Sequence, residues 1–110
     1  MFSRELKKGS TELLIMALLE TRPRHGYELG KLIETRSGGR LQFRIGSLYP
    51  ILCRLESQTL IVGRWVEKPG ERRRRYYRLT AKGRAALAHQ RSAWEDFTGA
   101  VNQILGGEHA

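Results

Sequence analysis

The sequence predicts a mainly α-helical fold with one small β-hairpin, an α+β chain of 110 residues. Three features lead there. The first half holds three apolar-patterned segments separated by helix-stop residues. Two strand-like runs then flank a turn-rich, strongly basic connector, and a long amphipathic pattern closes the chain.

The first segment is Thr11-Glu12-Leu13-Leu14-Ile15-Met16-Ala17-Leu18-Leu19-Glu20, and Ser10 in front of it is placed to cap its free amides. A helix so apolar on nearly every side belongs at the centre of a core. It stops before Thr21-Arg22-Pro23, because a proline biases its predecessor away from helical angles. A second helix is expected from His25 or Gly26 to Arg36, with Tyr27, Leu29, Leu32 and Ile33 inside and Glu28, Lys31, Glu34 and Thr35 turned to water. Ser37-Gly38-Gly39 ends it. Gly46-Ser47 opens a third helix, whose Leu48, Leu52 and Leu55 fall at i, i+4 and i+7 and mark its core face. Its free face carries Ser47, Tyr49, Pro50, Arg54, Ser57 and Gln58, with Pro50 expected in the first turn, where amides lack partners anyway. Cys53 is expected to be a small buried residue of this helix.

Residues 60–67 and 74–80 read as two strands around Lys68-Pro69-Gly70-Glu71-Arg72. From Arg64 to Arg78 seven basic residues stand against two acidic ones, so +5 of the formal +9 falls in fifteen residues. Such a concentration favours a polyanionic partner, since each cation that neutralises a phosphate releases condensed counterions. The competing reading is a solvated turn that keeps an exposed hairpin edge soluble. Strand alternation sends Arg73 and Arg75 to one side and Arg72 and Arg74 to the other. Tyr77 and Leu79 share a face suited to the hairpin's root, while Tyr76 fits either a root or a contact role. Three helices followed by a basic hairpin is the order of a winged helix-turn-helix, which assigns residues 1–80 to a DNA-binding domain.

Thr80 is expected to cap a last helix running to about Leu105, with Gly106 and Gly107 as its stop. Leu87, Trp94 and Val101 recur every seven residues, Phe97 and Ile104 lie three beyond the last two, and Gln90 fills the remaining d position. This a/d seam predicts a homodimer through residues 81–105, making 81–110 a dimerisation helix within the same compact domain. The alternative is that the seam covers the chain's own core.

A single cysteine excludes an intramolecular disulfide and a thiolate metal cluster, which fits an intracellular, cytoplasmic protein. Residues 1–9 hold no apolar run of a secretory signal, and the longest apolar stretch, Leu13 to Leu19, is far too short to span a bilayer. No membrane partner is expected. His25 reads as a helix-start residue, and His89 and His109 stand apart from any cysteine or carboxylate cluster, so no metal is expected. No nucleophile–base–orienter set and no phosphate-cradling glycine loop is present; no catalytic residue, no cofactor and no enzymatic activity are expected.

Leu13-Leu14-Ile15-Met16-Ala17-Leu18-Leu19, His25-Gly26-Tyr27-Glu28-Leu29, Gly46-Ser47-Leu48-Tyr49-Pro50-Ile51-Leu52-Cys53-Arg54-Leu55-Glu56, Leu60-Ile61 and Arg74-Arg75-Tyr76-Tyr77-Arg78-Leu79-Thr80, in this order, resemble the PadR family of bacterial transcriptional regulators. The likeness runs from about Gly9 to Phe97, and a chain ending at Ala110 looks like the family's short C-terminal branch, without a large effector domain. The resemblance implies a homodimeric repressor on a pseudo-palindromic operator in double-stranded DNA. Its third helix would enter the major groove while the wing reaches phosphates or the adjacent minor groove. The residues suit those roles: Ser47 and Tyr49 offer hydroxyls, Pro50 an apolar contact, Arg44 a reach to phosphate and Arg54 a reach to backbone or a guanine edge. Arg72, Arg73, Arg74, Arg75 and Tyr76 are the wing's candidates. The resemblance further implies that Trp94, with Phe97 nearby, lines a pocket between subunits for a small planar aromatic effector. Two rivals remain: a sequence-independent architectural or RNA-binding module, and a protein–protein adaptor that uses the same fold without DNA.

Overall fold

The computed structural model describes residues 9–106. Gly107, His109 and residues 1–8, the segment expected to hold no signal-like apolar run, lie outside the described residues. In chain order the elements are α1 (Thr11–Leu18), β1 (Arg24–His25), α2 (Gly26–Arg36), α3 (Ile45–Ser57), β2 (Ile61–Val66), β3 (Arg74–Leu79) and α4 (Ala81–Gly106). Ile15, Met16, Leu19, Leu29, Leu48, Leu52, Leu55, Ile61 and Leu87 are fully buried and form the centre of the core.

Ser10 stands at the N-cap of α1, its carbonyl accepting from Leu14 N at 3.0 Å, but its side chain makes no cap hydrogen bond. The other end of α1 is closed by Arg24. Its buried guanidinium donates from Nε to Leu18 O at 2.7 Å and from Nη1 to Glu28 Oε2 at 3.0 Å, meeting the demand that a buried cation be paired. The same residue begins β1, a strand in the segment that the sequence pattern marks only as the stop between two helices. Arg24 lies opposite Tyr77 and His25 opposite Tyr76, so the hairpin is part of an antiparallel three-stranded sheet in the order β1-β3-β2.

On α2 the buried positions are Gly26, Leu29, Gly30 and Ile33, an i, i+3, i+4, i+7 stripe. Tyr27 falls off this stripe and is 60% exposed, not part of the inner face expected for it. The two glycines let α3 approach: a Cβ at Gly26 would stand 2.5 Å from Ile45 Cδ1, and one at Gly30 3.3 Å from both Leu48 Cδ1 and the Phe43 carbonyl. Leu48, Leu52 and Leu55 of α3 then fill the core as their spacing predicts.

Two expectations for α3 need correction. The helix starts at Ile45, so Pro50 lies in its second turn rather than its first. The cost is limited because the i−4 residue is Gly46, exposed and without a side chain, whose carbonyl simply lacks a helical donor. Cys53 is exposed, because it sits one turn beyond Tyr49 on the free face. The helix ends with Thr59 at φ 60°, closed by Leu60 N to Leu55 O at 3.0 Å and Thr59 N to Glu56 O at 2.9 Å.

Thr80 caps α4 as expected, its Oγ1 accepting from Gly83 N at 3.0 Å and donating to the Thr59 carbonyl at 2.7 Å. The first half of α4 packs on α1 and β3, and Arg91 is tied to Glu20 at 3.0 Å. This corrects the assignment of Leu87 to an intermolecular seam: it is 1% exposed inside the chain's own core, because the seam's first turns cover α1 and β3. Farther along, α4 leaves the domain. Trp94, Phe97 and Ile104 are 46%, 62% and 79% exposed, Gln90 and Val101 are half-buried, and the molecule measures 60 × 30 × 21 Å.

Candidate nucleic-acid interface

The exposed face of α3 is nearly uncharged. Arg44 occupies the N-cap with extended backbone, accepting from Ser47 N at 2.9 Å and Leu48 N at 3.1 Å, and its side chain is exposed. Ser47, Tyr49 and Pro50 follow, all exposed, with Cys53 beside Tyr49. Hydrogen bonding with the Cys53 thiol, together with that group's charge when ionised, raises the Tyr49 phenol above its ordinary pKa. Arg54 is placed differently from the others. Its Nη2 pairs with Glu12 at 2.6 Å, which ties α3 to α1.

The basic run divides by face. The register sets Trp65 opposite Arg75 and Val66 opposite Arg74. On the side turned to α3, Arg75 Nη2 donates to Glu56 Oε2 at 2.6 Å, and the same oxygen accepts from Gly63 N at 3.0 Å. Gly63 makes this possible, for a Cβ there would lie 2.5 Å from Arg75 Nε. The hydrogen bond to Glu56 raises the Arg75 pKa and fixes the hairpin to α3. Arg73 lies over the Trp65 ring at 4.5 Å, with Arg75 at 5.7 Å from the same ring.

On the other side Arg74 stands 5.9 Å from the Tyr27 ring and 3.5 Å from His25 Nδ1. Tyr76 meets His25 edge-on at 5.2 Å, and Lys68 stands 5.5 Å over the Tyr76 ring. Arg72 is exposed, with no ion pair among the described residues.

His25 caps α2 through Nδ1, which accepts from Glu28 N at 3.2 Å and therefore must be unprotonated. Burial lowers its pKa, and Arg74, Lys68 and Arg22 add to the shift against the opposing pull of Glu28. The folded state thus holds this proton less tightly than the unfolded chain. Its contribution to stability is present above the unfolded pKa of about 6.5 and is lost as pH falls through the lower folded value. Melting temperatures between about pH 7.5 and about pH 5 should therefore fall more steeply for the wild type than for His25→Asn, which keeps a cap acceptor but does not titrate. Parallel curves would remove His25 from this role.

Among the described residues no group of three His, Cys, Asp or Glu is placed to hold a metal, and no helix is long and apolar enough to cross a membrane. Residues 15–89, from within α1 to the part of α4 that packs on the domain, match the PadR-like family of transcriptional regulators. The chain belongs to that family. A transcriptional regulator of Mycobacterium tuberculosis is 36% identical over 107 residues, covering 96% of this chain and 92% of that protein. Among solved structures, a transcriptional regulator from Clostridium thermocellum superposes with a TM-score of 0.84 at 26% identity, covering 94% of this chain and 97% of that one. A PadR-like regulator from Bacillus cereus gives 0.82 at 29% identity, over 94% and 99% of the two chains. PadR-like proteins are DNA-binding regulators of transcription rather than enzymes, and this chain is one of them.

Four residues of this PadR-like chain that shape the interface were not singled out from sequence. Glu56 anchors Arg75, Trp65 carries Arg73, exposed Tyr27 stands by Arg74, and Cys53 flanks Tyr49. Tyr27 and Cys53 were within reach of pattern reading, since one lies off the Gly26-Leu29-Gly30-Ile33 stripe and the other is i+4 from Tyr49. The Glu56–Arg75 pair joins a helix to a strand and carries no local signal.

Proposed function

We propose that the protein is a homodimeric cytoplasmic repressor that binds a pseudo-palindromic operator. The uncharged α3 face of Ser47, Tyr49 and Pro50 enters the major groove and reads base edges. Arg44, Arg72, Arg73 and Arg74 hold phosphates on either side, Tyr76 supports the wing, Arg54 serves through its link to α1, and Arg75 positions the wing rather than gripping DNA itself. The observation that carries this reading is the Glu56 bridge, which sets a cationic wing rigidly beside a nearly uncharged helix face. That division of labour suits a protein that grips every duplex and chooses among them.

The projecting half of α4 supports the dimer, with Gln90, Trp94, Phe97, Val101 and Ile104 as its seam. Trp94 and Phe97, with ring centroids 6.4 Å apart, are suited to flank a planar aromatic effector between the subunits. Such a ligand acts by favouring a dimer geometry that no longer matches the grooves, and only to the extent of its differential affinity.

Selection of bound fragments from the source genome tests both parts. The expected site has two-fold related halves separated by about 34 Å or a multiple of it. Planar aromatics that release it should also change Trp94 emission in a Trp65→Phe background. Recovery of fragments without symmetry or preference would favour the sequence-independent architectural module.

A further inference from the structure

The two faces of the β2–β3 ladder differ. Ile61, Tyr77 and Leu79 are buried toward the core, and Arg75 on the same side meets Glu56 of α3. Alternation turns their neighbours outward, so the paired residues Val62 and Arg78, and Arg64 and Tyr76, face away from α3. There they border a groove of about 480 Å³ that also reaches Pro23, Val66 and Lys68.

The groove joins two chemistries. Val62, Val66 and the Pro23 ring give it an apolar floor, with the Tyr76 ring as one wall. Arg64, Lys68 and Arg78 give it three cations, and among the described residues no carboxylate lines it. Among the described residues Arg64, Lys68 and Arg78 have no ion pair, and Lys68 stands over the Tyr76 ring. Clustered cations without a counter-charge repel one another and attract an anion. The size falls within the range of small-molecule sites, about 300–1,000 Å³.

We propose that this groove is a ligand site for an amphipathic organic anion, with an apolar body about the size of two fused rings and one carboxylate, sulfonate or phosphate group. The apolar body lies on the valines and the Pro23 ring, and the anionic group meets Arg64 and Arg78. A DNA backbone is a poorer occupant, because it has no apolar body for the floor. The site is separate from the α4 seam, since no residue of the two is shared. Through Tyr76, which edges onto His25, an occupant is linked to the start of α2 and to the wing.

The test uses naphthalene-2-sulfonate and its uncharged counterpart naphthalene-2-methanol on the full chain, followed by amide NMR shifts. The sulfonate should bind about tenfold more tightly, the scale of one charge-assisted contact, and move the signals of Val62, Val66 and Tyr76. Arg64→Gln combined with Arg78→Gln, both at exposed positions, should erase that preference while the methanol still binds. Saturating double-stranded DNA should leave the sulfonate site in place. Equal binding of the two probes by the wild type, shifts confined to Trp94 and Phe97, or full displacement by DNA would each overturn the proposal.

Discussion

Gly83→Ala should lower the melting temperature by about 12 °C or more, equivalent to roughly 3 kcal/mol for a domain of this size. In an exposed helix the same change would stabilise by about 1 kcal/mol, because alanine is the better helix former. Here sterics decide the sign. A Cβ at Gly83 would collide with the Leu60 carbonyl and stand 2.8 Å from Leu79 Cδ1. The carbonyl has little freedom to withdraw, since it accepts from Thr80 N at 3.1 Å, and Thr80 in turn caps α4. Gly99, on the same helix with nothing within 4 Å of its would-be Cβ, is the control. Gly99→Ala should hold or raise the melting temperature, and a Gly83→Ala protein that melts with it would show that α4 does not lie on the α3–β2 corner.

Trp94→Glu combined with Phe97→Glu should leave the domain folded, convert a dimer to monomers in sedimentation, and weaken operator binding by about 10²-fold or more. Neither side chain is in the core, so the fold has no need of them. Among the described residues, none from the half of α4 beyond Arg91 belongs to the core. It presents Trp94, Phe97, Ile104 and Leu105 to water, a contiguous apolar surface that marks an interaction site. On the proposed two-fold operator, each winged domain alone would reach only one half-site, whereas a dimer would gain the second contact at high effective concentration. If the double variant sedimented like the wild type, the seam would lie elsewhere.

What the sequence revealed depended on how local the signal was. The Leu48-Leu52-Leu55 stripe, the Thr80 cap and the turn at Pro69-Gly70 are written in neighbouring residues, and the structure places each where the pattern put it. β1 is different. Its two residues form a strand only because Tyr76 and Tyr77, about fifty positions later, offer them an edge. Leu87 shows another limit, for a heptad pattern looks the same whether the surface it covers belongs to its own chain or to a second copy. Arg75 shows the third. As one of four successive arginines it was indistinguishable from its neighbours, and only the Glu56 carboxylate reaching it from α3 sets it apart from the arginines proposed to hold phosphates.

The α3 face choosing the site while the wing holds the backbone is a division that one comparison addresses directly: affinities for the selected operator and for random DNA, across salt, for Tyr49→Ala and for Arg72→Ala with Arg74→Ala. Tyr49→Ala should cut the operator-to-random ratio about tenfold or more and leave the salt slope unchanged. The arginine pair should weaken both DNAs alike and flatten the slope by about 0.9 per lost phosphate contact. An arginine pair that collapses the ratio, with Tyr49→Ala leaving it intact, would contradict the assignment and make the wing the element that reads sequence.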